Sequence, residues 1–334
     1  MAGNFVQLHN HTHYSLLDGA SKVPDLVKRV KELGMPAVGI TDHGNMHGAY
    51  ELWRAAVDSG VKPIIGIEAY VTPETARQDK TRVSWDTNWT PVPGHARNPD
   101  DVSGGGLITH LTMWAENDEG LVNLIKASSV ANLEGRVMRY PRMDKEVLST
   151  YSKGVIASSG CPSGIIQTRL RLGQFDEALR AAGEFQDIFG KDNFYIELMD
   201  HGLSIESKVT GDLLTIAKKL GAPLLATNDS HYVMEADKDA QDAMLCINSG
   251  ATLDDPNRFK FEGSGYYIKS AEEMRELFKD HPDACDNTLE IAERCNVIFD
   301  DHEDGAFMPQ FDCPEGWDET SLFLKKVEDR KSTR

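Results

Sequence analysis

Three of the chain's eleven histidines fall within five residues, His9-Asn10-His11-Thr12-His13, directly after a short apolar run. In an extended segment residues i and i+2 face the same side, so His9 and His11, or His11 and His13, can reach one metal ion together. Asp18 follows on the same loop, and the same i, i+2 spacing returns far along the chain in Asp229-Ser230-His231. Between them, further groups able to bind metal stand at or near the ends of apolar runs. They are His43 in Thr41-Asp42-His43-Gly44, Glu68 in Gly66-Ile67-Glu68, His110, and Cys161 in Ser159-Gly160-Cys161-Pro162. Imidazole, thiolate and carboxylate together suit Zn²⁺, with Mn²⁺ or Fe²⁺ as alternatives where carboxylates dominate. Nine candidate ligands exceed what one tetrahedral ion uses. The surplus implies two or three ions sharing bridging carboxylates, an arrangement that supports hydrolysis of phosphate esters. A lone His or Cys near a strand end is more often structural, and His47, His95, His201, His281 and His302 are read that way. Cys161 alone is weak, since buried thiols are commonplace; its case rests on its place in the series.

These side chains need a scaffold that brings them together. Seven short apolar runs read as strands, at 5–8, 37–41, 64–69, 111–114, 155–158, 194–198 and 224–227. Amphipathic helical patterns lie between them at 23–33, 49–58, 120–131, 164–172, 176–189 and 205–220. Gly34, Gly60, Gly173, Gly190 and Gly221 sit where those helices should stop. The alternation predicts an α/β fold of βα repeats with a parallel sheet. Six of the seven strands deliver a His, Cys, Asp or Glu at or near an end. An open sheet would spread those groups along a line, whereas a barrel converges them, so a closed barrel of about seven βα units is expected. The stretch 72–107 is rich in Pro, Gly, Asp, Asn and Thr, with Trp85 and Trp89 inside it, and reads as a long loop. After Ser230 the pattern changes to helices at 236–249, 271–278 and 284–297, then an acidic linker at 300–320.

Composition narrows the function. The 334 residues carry 35 Lys+Arg against 53 Asp+Glu, a net charge of −18, which argues against coating nucleic acid by bulk positive charge. The acidity is concentrated: residues 280–320 hold thirteen acids against one base, Arg294. Holding a nucleic-acid end in a local site therefore stays open. No apolar run approaches the roughly 18 residues that span a bilayer, and no signal-peptide pattern opens the chain. Five scattered cysteines without a CxxC pair read as reduced thiols in a cytoplasmic protein with no membrane partner.

The run Leu8-His9-Asn10-His11-Thr12-His13-Tyr14-Ser15-Leu16-Leu17-Asp18-Gly19 resembles the opening of the PHP (polymerase and histidinol phosphatase) domains of bacterial replicative DNA polymerase III alpha subunits. So do Gly39-Ile40-Thr41-Asp42-His43-Gly44-Asn45-Met46, Pro63-Ile64-Ile65-Gly66-Ile67-Glu68-Ala69-Tyr70 and Ala226-Thr227-Asn228-Asp229-Ser230-His231-Tyr232. The likeness extends through Asp255-Pro256-Asn257-Arg258-Phe259-Lys260-Phe261. It implies a distorted (β/α)₇ barrel over residues 1–284, with 285–334 resembling the start of a polymerase palm, cut short. It also implies a centre of three divalent ions, Zn²⁺ or Mn²⁺ with Fe²⁺ as an alternative. The family's ligand positions carry over onto His9, His11, Asp18, His43, Glu68, His110, Cys161, Asp229 and His231, with Glu68 the expected bridge. Some family members have eroded sites and keep the domain as a scaffold; the full set here implies a 3′→5′ exonuclease that proofreads. The palm's carboxylates and its Gly-Pro-Gly-Arg-Gly-Ser segment do not occur, so primer extension is not expected of this chain alone. The implied partners are a single-stranded or mismatched DNA 3′ end, the remainder of the alpha subunit and, through it, the sliding clamp and other replisome subunits.

Phosphate contacts are sought among arginines. Arg136, Arg139 and Arg142, with Tyr140 between them, have the composition of a single-strand contact. Arg169 and Arg171 follow Cys161 closely. Three functions remain open: a DNA-end exonuclease, a small-molecule phosphoesterase of the histidinol phosphatase type, and a silent metal-stabilised scaffold. The polymerase-like stretches on both sides of the ligand set weigh against the second.

Overall fold

Six of the seven expected runs form strands, and one strand, β4, is unexpected, giving among the described residues β1 (Ala37–Ile40), β2 (Lys62–Val71), β3 (Thr109–Ala115), β4 (Arg142–Met143), β5 (Val155–Ser158), β6 (Phe194–Leu198) and β7 (Leu224–Ala226). β1 and the short β5 and β6 are buried along their whole length, as strands covered on both faces must be. The computed structural model describes residues 4–16, 18–90, 98–299 and 311–332. The sheet runs β1-β2-β3-β5-β6-β7, with β4 paired to β2 off that path.

Two features distort the expected barrel. First, β3 runs antiparallel to both β2 and β5, whereas β1–β2, β5–β6 and β6–β7 are parallel. The expected all-parallel sheet is corrected here, and the cause is local. A parallel return needs a crossover, usually through a helix. The β2–β3 connection is the long loop after Val71, whose only helix among the described residues is the single turn Ser103–Gly106. Second, the strand expected at 5–8 is not a regular strand. Instead Gln7 bridges Val38 and Asn10 bridges Ser230, both parallel. Gly39 N donates to Gln7 O (2.8 Å) and Thr41 N to Asn10 O (2.9 Å) on one side, while His11 N donates to Ser230 O (2.7 Å) on the other. This segment thus joins the β1 edge to the chain just past β7 and closes the curl. Gly39 permits the close approach, since a Cβ there would lie 2.6 Å from Leu8 O.

The core beneath holds Val6, Leu8, Ile64, Trp114, Ile156, Tyr195 and Leu225, joined by Ile291, Ala292 and Cys295. Ile291 and Ala292 come from the helix Pro282–Arg294, and Cys295 caps its end. A division after residue 284 therefore falls inside a helix that lines the core, and the first compact unit runs to Ile298. The second unit, Phe299–Arg334, contains the helix Glu319–Ser332. Residues 300–310 of the acidic linker lie outside the described residues. No helix among the described residues is long and apolar enough to cross a membrane.

Arg142 corrects one expectation about DNA contact. Its side chain is wholly buried and donates to the carbonyls of Gly135 (3.1 Å), Leu107 (3.3 Å), Arg77 (2.6 Å) and Asp79 (2.7 Å). It staples the base of the long loop to β4 and is closed to any ligand. Arg142→Met removes the donors of four carbonyls in one step. It is expected to cost about 3 kcal/mol or more, read as a lowered urea midpoint at unchanged slope.

Candidate metal centre

The carboxyl ends of β1, β5 and β7 lie at one end of the barrel, and β3, being reversed, presents its first residues there. This explains why His110, at the start of its strand, joins groups that follow theirs. Glu68, within β2, is nearly fully buried and central. Its Oε1 lies 3.4 Å from His9 Nε2; its Oε2 lies 2.6 Å from His43 Nδ1, 3.0 Å from His110 Nδ1 and 3.8 Å from His11 Nε2. Asp229 Oδ1 is 3.0 Å from His11 Nε2 and 3.4 Å from His9 Nε2. Asp18 spans the far side, 3.3 Å from His43 Nε2 and 3.2 Å from His231 Nε2. Cys161 Sγ is 3.4 Å from His110 Nδ1. All nine expected ligands therefore meet in one cluster. His13 joins none of its metal-sized groups, which are His9/His11/Asp229, His11/His43/His231 and His43/Glu68/His110.

Whether these residues fit metal ions is tested by their hydrogen bonds. Buried polar atoms are nearly always paired. Here His9 Nε2, His11 Nε2, His43 Nδ1, His231 Nε2, both Glu68 oxygens, Asp18 Oδ1 and Asp229 Oδ1 have no hydrogen-bond partner. These are the atoms that face one another across the cluster, and nitrogen and carboxylate oxygen are donors suited to divalent cations. The set fits.

The opposite edges of the rings are held. Glu197 Oε1 lies 2.7 Å from His9 Nδ1 and also accepts from Thr227 Oγ1 at 2.6 Å, while its other oxygen accepts from Ser158. Ser15 Oγ lies 3.0 Å from His11 Nδ1 and donates to Asp42 at 2.7 Å. The Asp229 carbonyl lies 2.8 Å from His231 Nδ1. A carboxylate or carbonyl behind an imidazole fixes its tautomer and aims the free nitrogen inward. Glu197→Gln keeps the shape but weakens that acceptor; metal affinity is expected to fall about 10–100-fold, with the fold retained, by competition with a chromophoric chelator.

Charge in the cluster is tightly balanced. Burial would lower the pKa of His9, but the Asp229 and Glu197 carboxylates outweigh it and hold it well above the usual value. Burial and the neighbouring His43 and His231 push His11 down to about 3. Burial would raise Glu68, yet His110 and His43 hold it well below the carboxylate range. Burial raises the Cys161 thiol, with Glu68 and Asp229 adding to it. Burial would likewise raise Asp18 and Asp229, yet the neighbouring imidazoles hold both below the usual carboxylate range.

Three residues the sequence did not single out emerge here: Glu197, Asp42 and Ser15. A glutamate inside a fully apolar strand was the available signal for the first. Asp229 adopts a left-handed φ of +43°, a strained conformation typical of functional positions.

The arginine candidates separate. Arg136 and Arg139 line a cavity that reaches Asp18 and His43, and Tyr140 lines an adjoining one with Arg139. Arg169 is committed elsewhere: it pairs with Glu74, donates to Gln174 (2.7 Å) and stacks on Trp85 at 3.8 Å. Arg171 donates to the Pro162 carbonyl and lies 3.4 Å from Asp100. Both brace the long loop and neither lines the two cavities that reach Asp18 and His43, which corrects their assignment as phosphate contacts.

The PHP domain family matches residues 7–201. DNA polymerase III subunit alpha of Mycobacterium leprae is 51% identical over 326 residues, covering 97% of this chain and 27% of that protein. The Saccharopolyspora erythraea subunit is 51% identical over 331 residues, covering 99% and 28%. That of Borreliella burgdorferi is 39% identical over 326 residues, covering 97% and 26%. The chain spans about a quarter of the length of these relatives.

Proposed function

The chain belongs to the PHP domain family, and from that premise we propose that it is the N-terminal portion of a bacterial DNA polymerase III alpha subunit that hydrolyses DNA 3′ ends. The observation that carries the reading is the inward-facing set of eight buried, unpartnered donor atoms on a complete nine-residue cluster. An eroded scaffold would have no reason to keep them. His9, His11, Asp18, His43, Glu68, His110, Cys161, Asp229 and His231 would hold the ions, three of Zn²⁺ or Mn²⁺ with Fe²⁺ as an alternative. When bound, such ions supply Lewis acidity for phosphodiester hydrolysis. The chain's own groups do the rest: Glu197 and Ser15 orient the rings of His9 and His11, while Arg136 and Arg139 stand at the opening to hold phosphate oxygens. In the full-length protein, working in the cytoplasm, the polymerase portion would deliver the primer end, alongside the sliding clamp and other replisome subunits.

The test uses the 334-residue chain with a 3′-mismatched primer–template, in Mn²⁺ or Zn²⁺ and in EDTA, beside His11→Ala and Asp229→Asn. Metal-dependent release of 3′ nucleotides by the parent chain alone supports the reading. Stoichiometric metal without release above the variants sinks it in favour of a scaffold. Release of phosphate from histidinol phosphate would point to a small-molecule phosphoesterase.

A further inference from the structure

Two cavities open beside the metal cluster, of about 420 and 370 Å³, and both reach Asp18, His43, Tyr70 and Arg139. Beyond that shared floor they differ in chemistry. The first continues past Asn45, His47, Asn132 and Arg136, with Leu16 and Pro141 on its wall. The second continues past the aromatic and apolar Tyr140, Phe259, Ile108 and Leu245, with Ser163 and Ser249 between them. Arg139 stands between them. Its guanidinium donates to the Asn248 side chain and to Tyr140 Oη (3.3 Å), with its carbon 5.3 Å from the Tyr140 ring centroid. It is carried on a tight turn closed by reciprocal Val137–Tyr140 backbone bonds of 3.0 Å, with Met138 at a left-handed φ of +55°.

Phe259 has no use in the metal cluster, yet it lines the second cavity with 60% of its surface exposed. It is backed by rings: Phe261 lies edge-on at 5.9 Å, and Phe261 in turn meets His231 at 4.7 Å. Across the same cavity Tyr140 is propped edge-on by Tyr70 at 5.1 Å. A scattered exposed phenyl needs no explanation. A braced one, sharing a cavity with a second braced ring and a guanidinium beside a phosphoesterase cluster, matches what a nucleotide presents: a flat π-face joined to an anionic phosphate.

We propose that the cavity lined by Phe259 and Tyr140 receives the unstacked 3′-terminal base of a DNA strand against those rings, while Arg136 and Arg139 hold the phosphates in the adjoining cavity. The inference rests on the 3′-end reading above and adds a selection rule. A terminal base reaches the pocket only after leaving its stack, which costs least when it is mispaired. Preference for mismatched ends then follows without any contact that reads sequence.

The test measures binding and release separately on the 334-residue chain. Single-stranded oligonucleotides with a non-hydrolysable terminal linkage carry either a normal base or an abasic residue at the 3′ end, and Kd is read by fluorescence anisotropy. The parent chain should bind the base-bearing end about tenfold more tightly. Phe259→Ala should bring the ratio near one, Phe259→Trp should restore it, and Arg136→Ala should weaken both ends alike. A ratio near one in the parent, or an unchanged ratio in Phe259→Ala, overturns the pocket. Hydrolysable versions of the same ends report on the function itself: no release from either end refutes the exonuclease, whatever the Kd ratio.

Discussion

Glu68→Gln is expected to lower 3′-nucleotide release by about a thousandfold, the scale seen when a group that stabilises developing charge is removed, and to reduce the metal bound per chain. No other carboxylate in the cluster lies near four imidazoles, those of His9, His11, His43 and His110. Both of its oxygens are buried without a hydrogen-bond partner. The amide keeps the volume but removes the charge and turns one acceptor into a donor, so it can no longer serve two cations. Asp18→Asn makes the control. Among the described residues Asp18 lies near two imidazoles, those of His43 and His231, and is more exposed, so its loss should be smaller in both readouts. Equal losses for the two variants, or full metal content in Glu68→Gln by elemental analysis, would remove Glu68 from the bridging position.

The cluster was unusually legible because its ligands obey local rules. His9/His11 and Asp229/His231 use the two-residue repeat of extended chain, and His43 and Cys161 follow apolar runs where a barrel opens. Local rules also explain what was missed. The direction of β3 depends on a loop whose described residues hold no crossover helix and whose composition gives no periodicity. Glu197 lies on the one expected strand that offered no ligand, and its role appears only when the barrel sets it behind His9. Arginines are the least legible of all: Arg136 and Arg142 have the same composition around them, yet one lines a cavity and the other is sealed under four carbonyls. Charge in a sequence says that a partner exists and not whether that partner is solvent, backbone or ligand.

Stripping the metals should lower the melting temperature by roughly 10 °C, because ions that bind only the folded chain stabilise it by about 4 kcal/mol at a thousandfold excess over Kd. The loss should be uneven along the chain. The 9–19 loop carries His9, His11 and Asp18 but also has ties that need no ion: Asp42 accepts from Thr12 N (2.7 Å), Thr12 Oγ1 (2.8 Å) and Ser15 Oγ (2.7 Å). Gly19 lies so close to that loop that a Cβ would sit 2.2 Å from Thr12 O. Asp229, by contrast, holds a strained left-handed backbone whose cost of about 1–3 kcal/mol needs a compensating contact, and its carboxylate oxygen Oδ1 has no hydrogen-bond partner. Chelation should therefore speed amide exchange at 228–231 well before it does so at 9–15, and Mn²⁺ or Zn²⁺ should reverse both effects. An unchanged melting temperature after elemental analysis shows the metals gone would mean the ions do not stabilise the fold. The scaffold reading would then fail on the ground that favours it, leaving turnover as the reason the nine residues stay together.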